Sequence, residues 1–317
     1  MSRKTKYKIF NWIVILVAYS FLAYKITDFF CHNSFEDISI SFSWHKVCLF
    51  LFVLLLLPIN ILLEAGKWQY ALLPNIKITF RESVLQTLLG FVGGWVTPNK
   101  LGDLPMRVVR LKDNNDRIEG IVRGFIGSVA VVDVSLILGL FALLGMTASE
   151  MWVSRQFLIL TSLFIFALQL LIIVFYHRLL DYISRQKIAD RKFRNIEIRA
   201  LCHRLTEISI RQLTGLLFFS AVRYLVYCLQ IYLMLCSFSI CLPFQTAAVA
   251  IPIYYMLLTI SPSLPAADIG IRGSWGVVVF SLYTPDIASI AVATTTLWAI
   301  NNVIPMICGS IILQRKN

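Results

Sequence analysis

Two short stretches of the chain each set an aspartate and an arginine four residues apart, a few residues after a hydroxyl residue and a proline. Residues 97–111 read TPNKLGDLPMRVVRL and carry Asp103 and Arg107; residues 261–272 read SPSLPAADIGIR and carry Asp268 and Arg272. Proline ends a preceding helix and restricts the residue before it. An aspartate after such a break can cap a new helix by accepting its free backbone N–H groups, and an arginine four residues on shares its face. One reading is therefore an N-cap with a local ion pair that lets a broken helix persist in an apolar setting. The other is an anion site. Helix starts offer partial positive charge and free donors, and the planar guanidinium grips a phosphate with two parallel hydrogen bonds.

Three more charged positions belong with this pair because they fall in or beside apolar runs, where a charge is costly and usually marks a site or a pathway. Arg223 lies about ten residues into an apolar run, roughly 15 Å deep at 1.5 Å per residue. It either contributes to the anion site or pairs with Asp133 or Asp268. Asp133 reads equally as a counter-ion or a proton carrier. Lys67, followed by Trp68, reads as a substrate contact or as an interfacial anchor.

These residues must be held by helices in a membrane. The chain has 317 residues, of which 58% are hydrophobic and only 15% charged, with mean hydropathy +0.76; soluble domains carry about a quarter charged residues. Crossing a hydrocarbon core of roughly 30 Å takes about 20 helical residues. Spans are predicted near 9–27, 46–63, 122–146, 157–176, 213–237 and 287–312. The apolar piece 83–96 is short for a crossing and contains GFVGG, while 246–283 is broken in its middle; both read as re-entrant segments. Four Lys/Arg among the first eight residues, nine against four acids in 177–211, and the closing QRKN put both termini and the 177–211 connector in the cytoplasm. That connector also has helical apolar spacing and suits a helix near anionic headgroups, or a solvated linker. With those sides assigned, 83–112 dips from inside and 246–283 from outside. The expected fold is an all-α polytopic membrane protein with about six spanning helices and two re-entrant hairpins in an inverted-topology repeat. It forms one integral domain over 1–317, with repeats at 46–146 and 213–313. Transporters use this plan to expose one midplane site to either side.

Other classes fit less well. The net charge of +12 sits beside apolar spans, which is topology rather than nucleic-acid binding. The seven cysteines form no CxxC or Cys/His cluster, so neither a metal nor a disulfide framework is expected. No G-x-x-x-x-G-K-[ST] loop is present, which argues against an ATP-driven pump. No cofactor is expected. Catalysis on a lipid phosphate would need Asp103 and Asp268 as acid/base or metal-binding carboxylates, but His32, His45, His177 and His203 all lie outside the predicted hairpins.

The runs KWQYALLP, GGWVTPNKLGDLPMR and SPSLPAADIGIRG resemble the flippase-like transmembrane region of the lysylphosphatidylglycerol synthase family, over most of the chain. The basic-Trp pair corresponds to Lys67-Trp68. The Pro-x-x-x-Gly-acid-x-x-x-Arg motif corresponds to Pro98, Gly102, Asp103 and Arg107, and the second motif to Gly270 and Arg272. This chain differs in having Ala267-Asp268 where members often carry Gly-Gly, Gly273 where they often carry Glu, and Val132-Asp133 where an acid-Arg pair is usual. The resemblance implies a bacterial inner-membrane protein that moves an anionic lipid headgroup between leaflets without enzymatic activity, facilitated or ion-coupled. It covers the membrane region and not the aminoacyl-transferring domain, so aminoacyl transfer is not expected. The alternative it leaves is a non-transporting partner of an envelope glycosyltransferase or lipid-modifying enzyme.

Overall fold

The computed structural model describes residues 43–144, 208–262 and 267–314, with short runs and single positions between 156 and 204. The predicted first span, most of the 177–211 connector and residues 263–266 lie outside the described residues, and the predicted fourth span is described only in part, including helical residues 159–161 and 163–168. Regular structure among the described residues is helical, apart from a two-residue antiparallel ladder pairing Lys192 with Glu197 and Phe193 with Ile196.

Helix α1 runs Trp44–Leu72 and stops where Pro74 holds Leu73 extended, at ψ 152°. Helix α2, Phe80–Val96, is N-capped by Thr79, with Glu82 N donating to Thr79 Oγ1 at 3.2 Å. It ends at extended Thr97, again just before a proline. Asn99 and Lys100 then take left-handed φ of 49° and 55° and reverse the chain. The Thr97 hydroxyl fastens this turn, donating to Gly93 O at 2.9 Å and accepting from Gly102 N at 2.6 Å. Helix α3, Asp103–Val108, runs back along α2. The glycines of GFVGG make the approach possible: a Cβ on Gly93 would overlap Gly102 O, and one on Gly90 would overlap Asp103 Oδ1.

Helix α4 is Asn114–Leu144 and α5 is Ile210–Ser237. A second hairpin follows. Helix α6, Phe244–Ile260, ends at extended Ser261 before Pro262, and α7, Asp268–Phe280, turns back with Trp275 Nε1 donating to Ser261 Oγ at 2.7 Å. Helix α8, Ile287–Trp298, is N-capped by Asp286, widens into a π-helical segment at Ala299–Val303, and continues as α9, Ile304–Gln314. Among the described residues, four helices are long and apolar enough to cross a membrane: α1, α4, α5 and the composite 287–314. They coincide with four of the six predicted spans.

The packing is reciprocal. Helices α1 and α5 lie antiparallel, with contacts running from Lys46–Ser239 through Asn60–Gln230 to Tyr70–Arg211. Helix α6 of the second hairpin packs antiparallel on α4, through Ser135–Thr259 at 2.8 Å and Gly139 against Met256. Helix α2 of the first hairpin packs antiparallel on 287–314, from Gly309 against Leu88 to Trp95 against Trp298, whose ring centroids are 5.5 Å apart. Each half thus lends its hairpin to the last helix of the other. The main core, including Leu136, Ile231, Met234, Tyr254, Met256 and Phe280, fills the space between them, while Leu51, Phe52, Leu55, Phe218 and Leu225 stay exposed along α1 and α5.

The free carbonyls at the C-terminal end of α1 are satisfied by side chains from α4 and α5. Arg123 donates to Leu73 O at 3.1 Å and Ala71 O at 3.4 Å. Gln212 donates to Ala71 O at 3.1 Å and also to Leu73 O. Arg123 pairs in turn with Glu119 at 2.7 Å and meets Gln212 Oε1 and Arg204 O.

Candidate functional site

Between the two hairpins lies a cavity of about 360 Å³, bounded by residues of α1, α2, α3, α4, α5, α6, α7 and α8 and by the π-helical segment. Its charged lining consists of Lys67, Lys100, Arg107, Arg223 and Arg272 against Glu64, Asp103 and Asp268, a formal balance of five minus three, or +2.

Glu64 organises the first half of the site. It is 5% exposed. Its Oε1 takes Arg107 at 2.9 Å, and its Oε2 takes Lys67 at 2.9 Å and also Arg223. One buried carboxylate thus holds three cations from α1, α3 and α5. Arg107 is saturated: its Nε and NH2 each meet an Asp103 oxygen at 2.8 Å, its NH1 meets Glu64, and its guanidinium lies 5.5 Å from the Trp68 ring centroid. Arg223 sits at the middle of α5, donating to Asn60 Oδ1 at 2.6 Å and Tyr227 Oη at 2.8 Å.

The second half is looser. Arg272 meets Asp268 Oδ2 at 3.1 Å, and Trp298 Nε1 donates to that oxygen at 2.7 Å. The Arg272 side chain is 23% exposed, against 6% for Arg107. The two motifs match in sequence but not in state: Arg107 is enclosed by two carboxylates, and Arg272 opens onto the cavity. Lys100, at the turn of the first hairpin, reaches Asn302 Oδ1 at 3.1 Å. Both hairpins therefore meet the same helix where it widens, the first through Lys100 to Asn302 and the second through Asp268 to Trp298. Single-turn π segments inside α-helices recur at functional sites.

The structure gathers Arg107, Arg272, Arg223, Asp103, Asp268 and Lys67 around one cavity. Four of the expectations change. Asp103 and Asp268 are not caps: Gly102 and Ala267 hold the N-cap positions, and each aspartate is the first helical residue, bound to its own arginine. Lys67 and Trp68 are not interfacial anchors; both are buried, and Trp68 Nε1 donates to Gln86 Oε1 at 2.7 Å. Arg223 pairs with Glu64 rather than with Asp133 or Asp268. Asp133 is half-buried on α4 outside the cavity lining, and its Oδ1 has no hydrogen-bond partner among the described residues. Glu64 and Lys100 are the residues that sequence reasoning missed. A signal for Glu64 did exist: Lys67 stands three residues on, one helical turn away in an apolar run, as its partner.

The close fit of the first hairpin gives a direct test. A Cβ on Gly90 would overlap Asp103 Oδ1 and lie 2.8 Å from Arg107 Nε, whereas one on Gly94 would meet Lys100 Cβ at an ordinary 3.4 Å. Overpacking of this kind costs about 1–3 kcal/mol. Gly90→Ala is expected to lower the melting temperature of the purified protein by several degrees and Gly94→Ala to leave it near wild type. Equal melting of the two variants would contradict this packing.

Compared with known proteins, the chain finds no match among curated ones. The family model described as lysylphosphatidylglycerol synthase TM region matches residues 11–309, nearly its whole length. That match and the four apolar helices make this a membrane protein tied to lipid or envelope biosynthesis.

Proposed function

The chain belongs to the lysylphosphatidylglycerol synthase TM region family, and from that premise we propose that it moves an anionic, phosphate-bearing lipid headgroup between the leaflets of a membrane. The observation that carries this reading is the cavity itself: a site of net formal charge +2, bordered by both hairpins and surrounded by apolar helices. In a bilayer the abundant anion of that size is a lipid phosphate. Arg272 and Lys100 are its seat, because Arg272 is the more open of the two motif arginines and Lys100 carries a positive charge on a neutral amide partner.

The reciprocal, antiparallel packing of the two halves supports an inverted repeat, with the two hairpins re-entering from opposite faces. Helix α2, at 17 residues, is about 25 Å long, short of a full crossing before α3 turns back. Exchange of hairpins between halves lets one rocking motion close the cavity on one side while opening it on the other.

The test is headgroup-labelled phosphatidylglycerol in proteoliposomes. Charge-assisted hydrogen bonds are worth about 1.5–3 kcal/mol each, so Arg272→Lys, which keeps charge but loses the planar pair of donors, is expected to slow translocation about tenfold. Arg272→Ala is expected to slow it further, with the protein still folded. Wild-type translocation by an Arg107→Ala, Arg272→Ala double variant would refute the transport site and favour a non-transporting partner of an envelope enzyme.

A further inference from the structure

We infer that a groove on the exposed face of α1, separate from the cavity, holds an acyl chain of an anionic phospholipid whose headgroup rests on Lys77 and Arg211. This lipid is a resident of the protein rather than its cargo, and the inference does not depend on the transport reading above.

The groove has a volume of about 470 Å³ and shares no lining residue with the cavity between the hairpins. Its floor is one stripe of α1 that runs from Ile59 through Leu62 and Gly66 to Leu73 at the helix end, and its walls are Phe219 of α5 and Phe80 of α2. The depression exists because of Gly66. Without a side chain there, the Phe219 ring closes in until a Cβ on Gly66 would lie 3.1 Å from its Cε1, and Tyr70 packs on the same ring at 5.8 Å. Ile59, Leu62, Leu73 and Phe80 stay exposed along the rim. Fourteen residues of helix cover about 21 Å, more than the roughly 15 Å of one leaflet in a 30 Å core. The groove therefore reaches from mid-membrane to the membrane surface.

Its chemistry changes at the surface end. Gln69 Nε2 donates to Ile78 O at 2.8 Å, and Tyr70 Oη donates to Arg211 O at 3.1 Å. Both Gln69 and Tyr70 line the groove. These two bonds fasten its end to the segments that carry Lys77 and Arg211, and both cations are exposed. Glu82, the first acid after Lys77 in the chain, is taken by Arg110. An apolar slot of leaflet depth that ends at two exposed cations matches a chain with a phosphate at its end, and basic residues at a membrane surface attract anionic lipids.

A helix fits this groove less well than a chain does. Lipid tails are as apolar as leucine, so helices associate in a bilayer by close packing, which stripes of small residues allow. Here a single glycine stands among Leu62, Leu63, Tyr70 and Phe219, and these hold a second backbone away. A flexible acyl chain can follow the slot past Gly66 and restore the contacts that an unfilled lining would lose.

The experiment is native mass spectrometry of the full-length protein carrying Arg272→Ala, which weakens the cavity seat, with phosphatidylglycerol and phosphatidylcholine of identical chains at equal concentration. Phosphatidylglycerol is expected to be retained about tenfold better than phosphatidylcholine. Adding Lys77→Gln and Arg211→Gln is expected to weaken that retention on the order of tenfold. Leu62→Trp, which fills the groove from an exposed position and leaves both cations in place, is expected to weaken it similarly. Equal retention of the two lipids would mean nonspecific lipid contact and overturn the inference, as would unchanged phosphatidylglycerol retention in Leu62→Trp. A photoreactive residue in place of Leu62 is expected to crosslink to phosphatidylglycerol in proteoliposomes. Crosslinking to residues 9–27 or to a second copy of the chain would assign the groove to a helix and overturn the inference as well.

Discussion

Glu64→Ala is expected to lower the melting temperature by on the order of 10 °C or to prevent the protein from accumulating at all. Breaking one buried ion pair by removing a single partner costs about 3–5 kcal/mol, because the other charge is left without compensation. Here the deleted carboxylate is shared by Lys67, Arg107 and Arg223, and at 5% exposure it is largely shielded from bulk solvent. Each kcal/mol is worth roughly 2–4 °C in a domain of a couple of hundred residues. Glu64→Gln keeps the shape and one acceptor but loses the charge, so it should fall between alanine and wild type. The decisive comparison is Glu64→Gln with Lys67→Gln. Removing one cation together with the carboxylate leaves less uncompensated charge, so the double variant should be more stable than the sum of the single changes indicates. Purely additive losses would show that the cluster does not act as a unit. Phosphatidylglycerol transport should also fall in Glu64→Gln, since Arg107 would lose one of its two anchors.

Arg123→Ala should be the second severe change, although Arg123 is remote from the cavity lining. Its side chain is 1% exposed and its partner Glu119 is 0% exposed. The guanidinium also accounts for carbonyls at the end of α1 and contacts Gln212 on α5 and Arg204 O. Alanine would leave Glu119 with Asn75 at 2.9 Å and Arg204 at 3.5 Å, and would leave the carbonyls of Ala71 and Leu73 to Gln212 alone. A loss of about 3–5 kcal/mol is expected. Arg123→Lys keeps the charge but cannot span three helices and should recover only part of it. Exposed Arg81 is the control, and Arg81→Ala should melt as wild type does. If Arg123→Ala and Arg81→Ala melt together in detergent, the polar knot contributes nothing to stability.

The amino-acid sequence by itself determined four stretches long and apolar enough to cross a membrane, and where the chain must break between helices. Apolar runs of span length are a local property, and so is the effect of proline on the residue before it. The predicted 46–63, 122–146, 213–237 and 287–312 therefore reappear as helices, each with at least one end shifted. The breaks at Thr97-Pro98 and Ser261-Pro262 likewise become the ends of α2 and α6. The paired Asp–Arg spacing was equally legible, since four residues is one helical turn.

Tertiary structure alone decided what those charges do. Glu64 looks like the polar end of a span, because nothing nearby announces Arg107 and Arg223, which approach it from 43 and 159 residues away in the chain. Lys67-Trp68 reads either as a substrate contact or as an interfacial anchor for the same reason, and the cover of α2 and α3 removes the anchor reading. Asp103 and Asp268 miss the cap position by one residue because Gly102 and Ala267 already occupy it, a boundary too fine for sequence periodicity. The inequality of the two arginines has no local sign either. Whether a guanidinium is saturated or open depends on a second carboxylate supplied by another helix, and only the first motif receives one from Glu64. Charges in a low-dielectric interior are governed by whichever partners the packing brings within about 3 Å, and those partners are set by long-range contacts rather than by spacing along the chain.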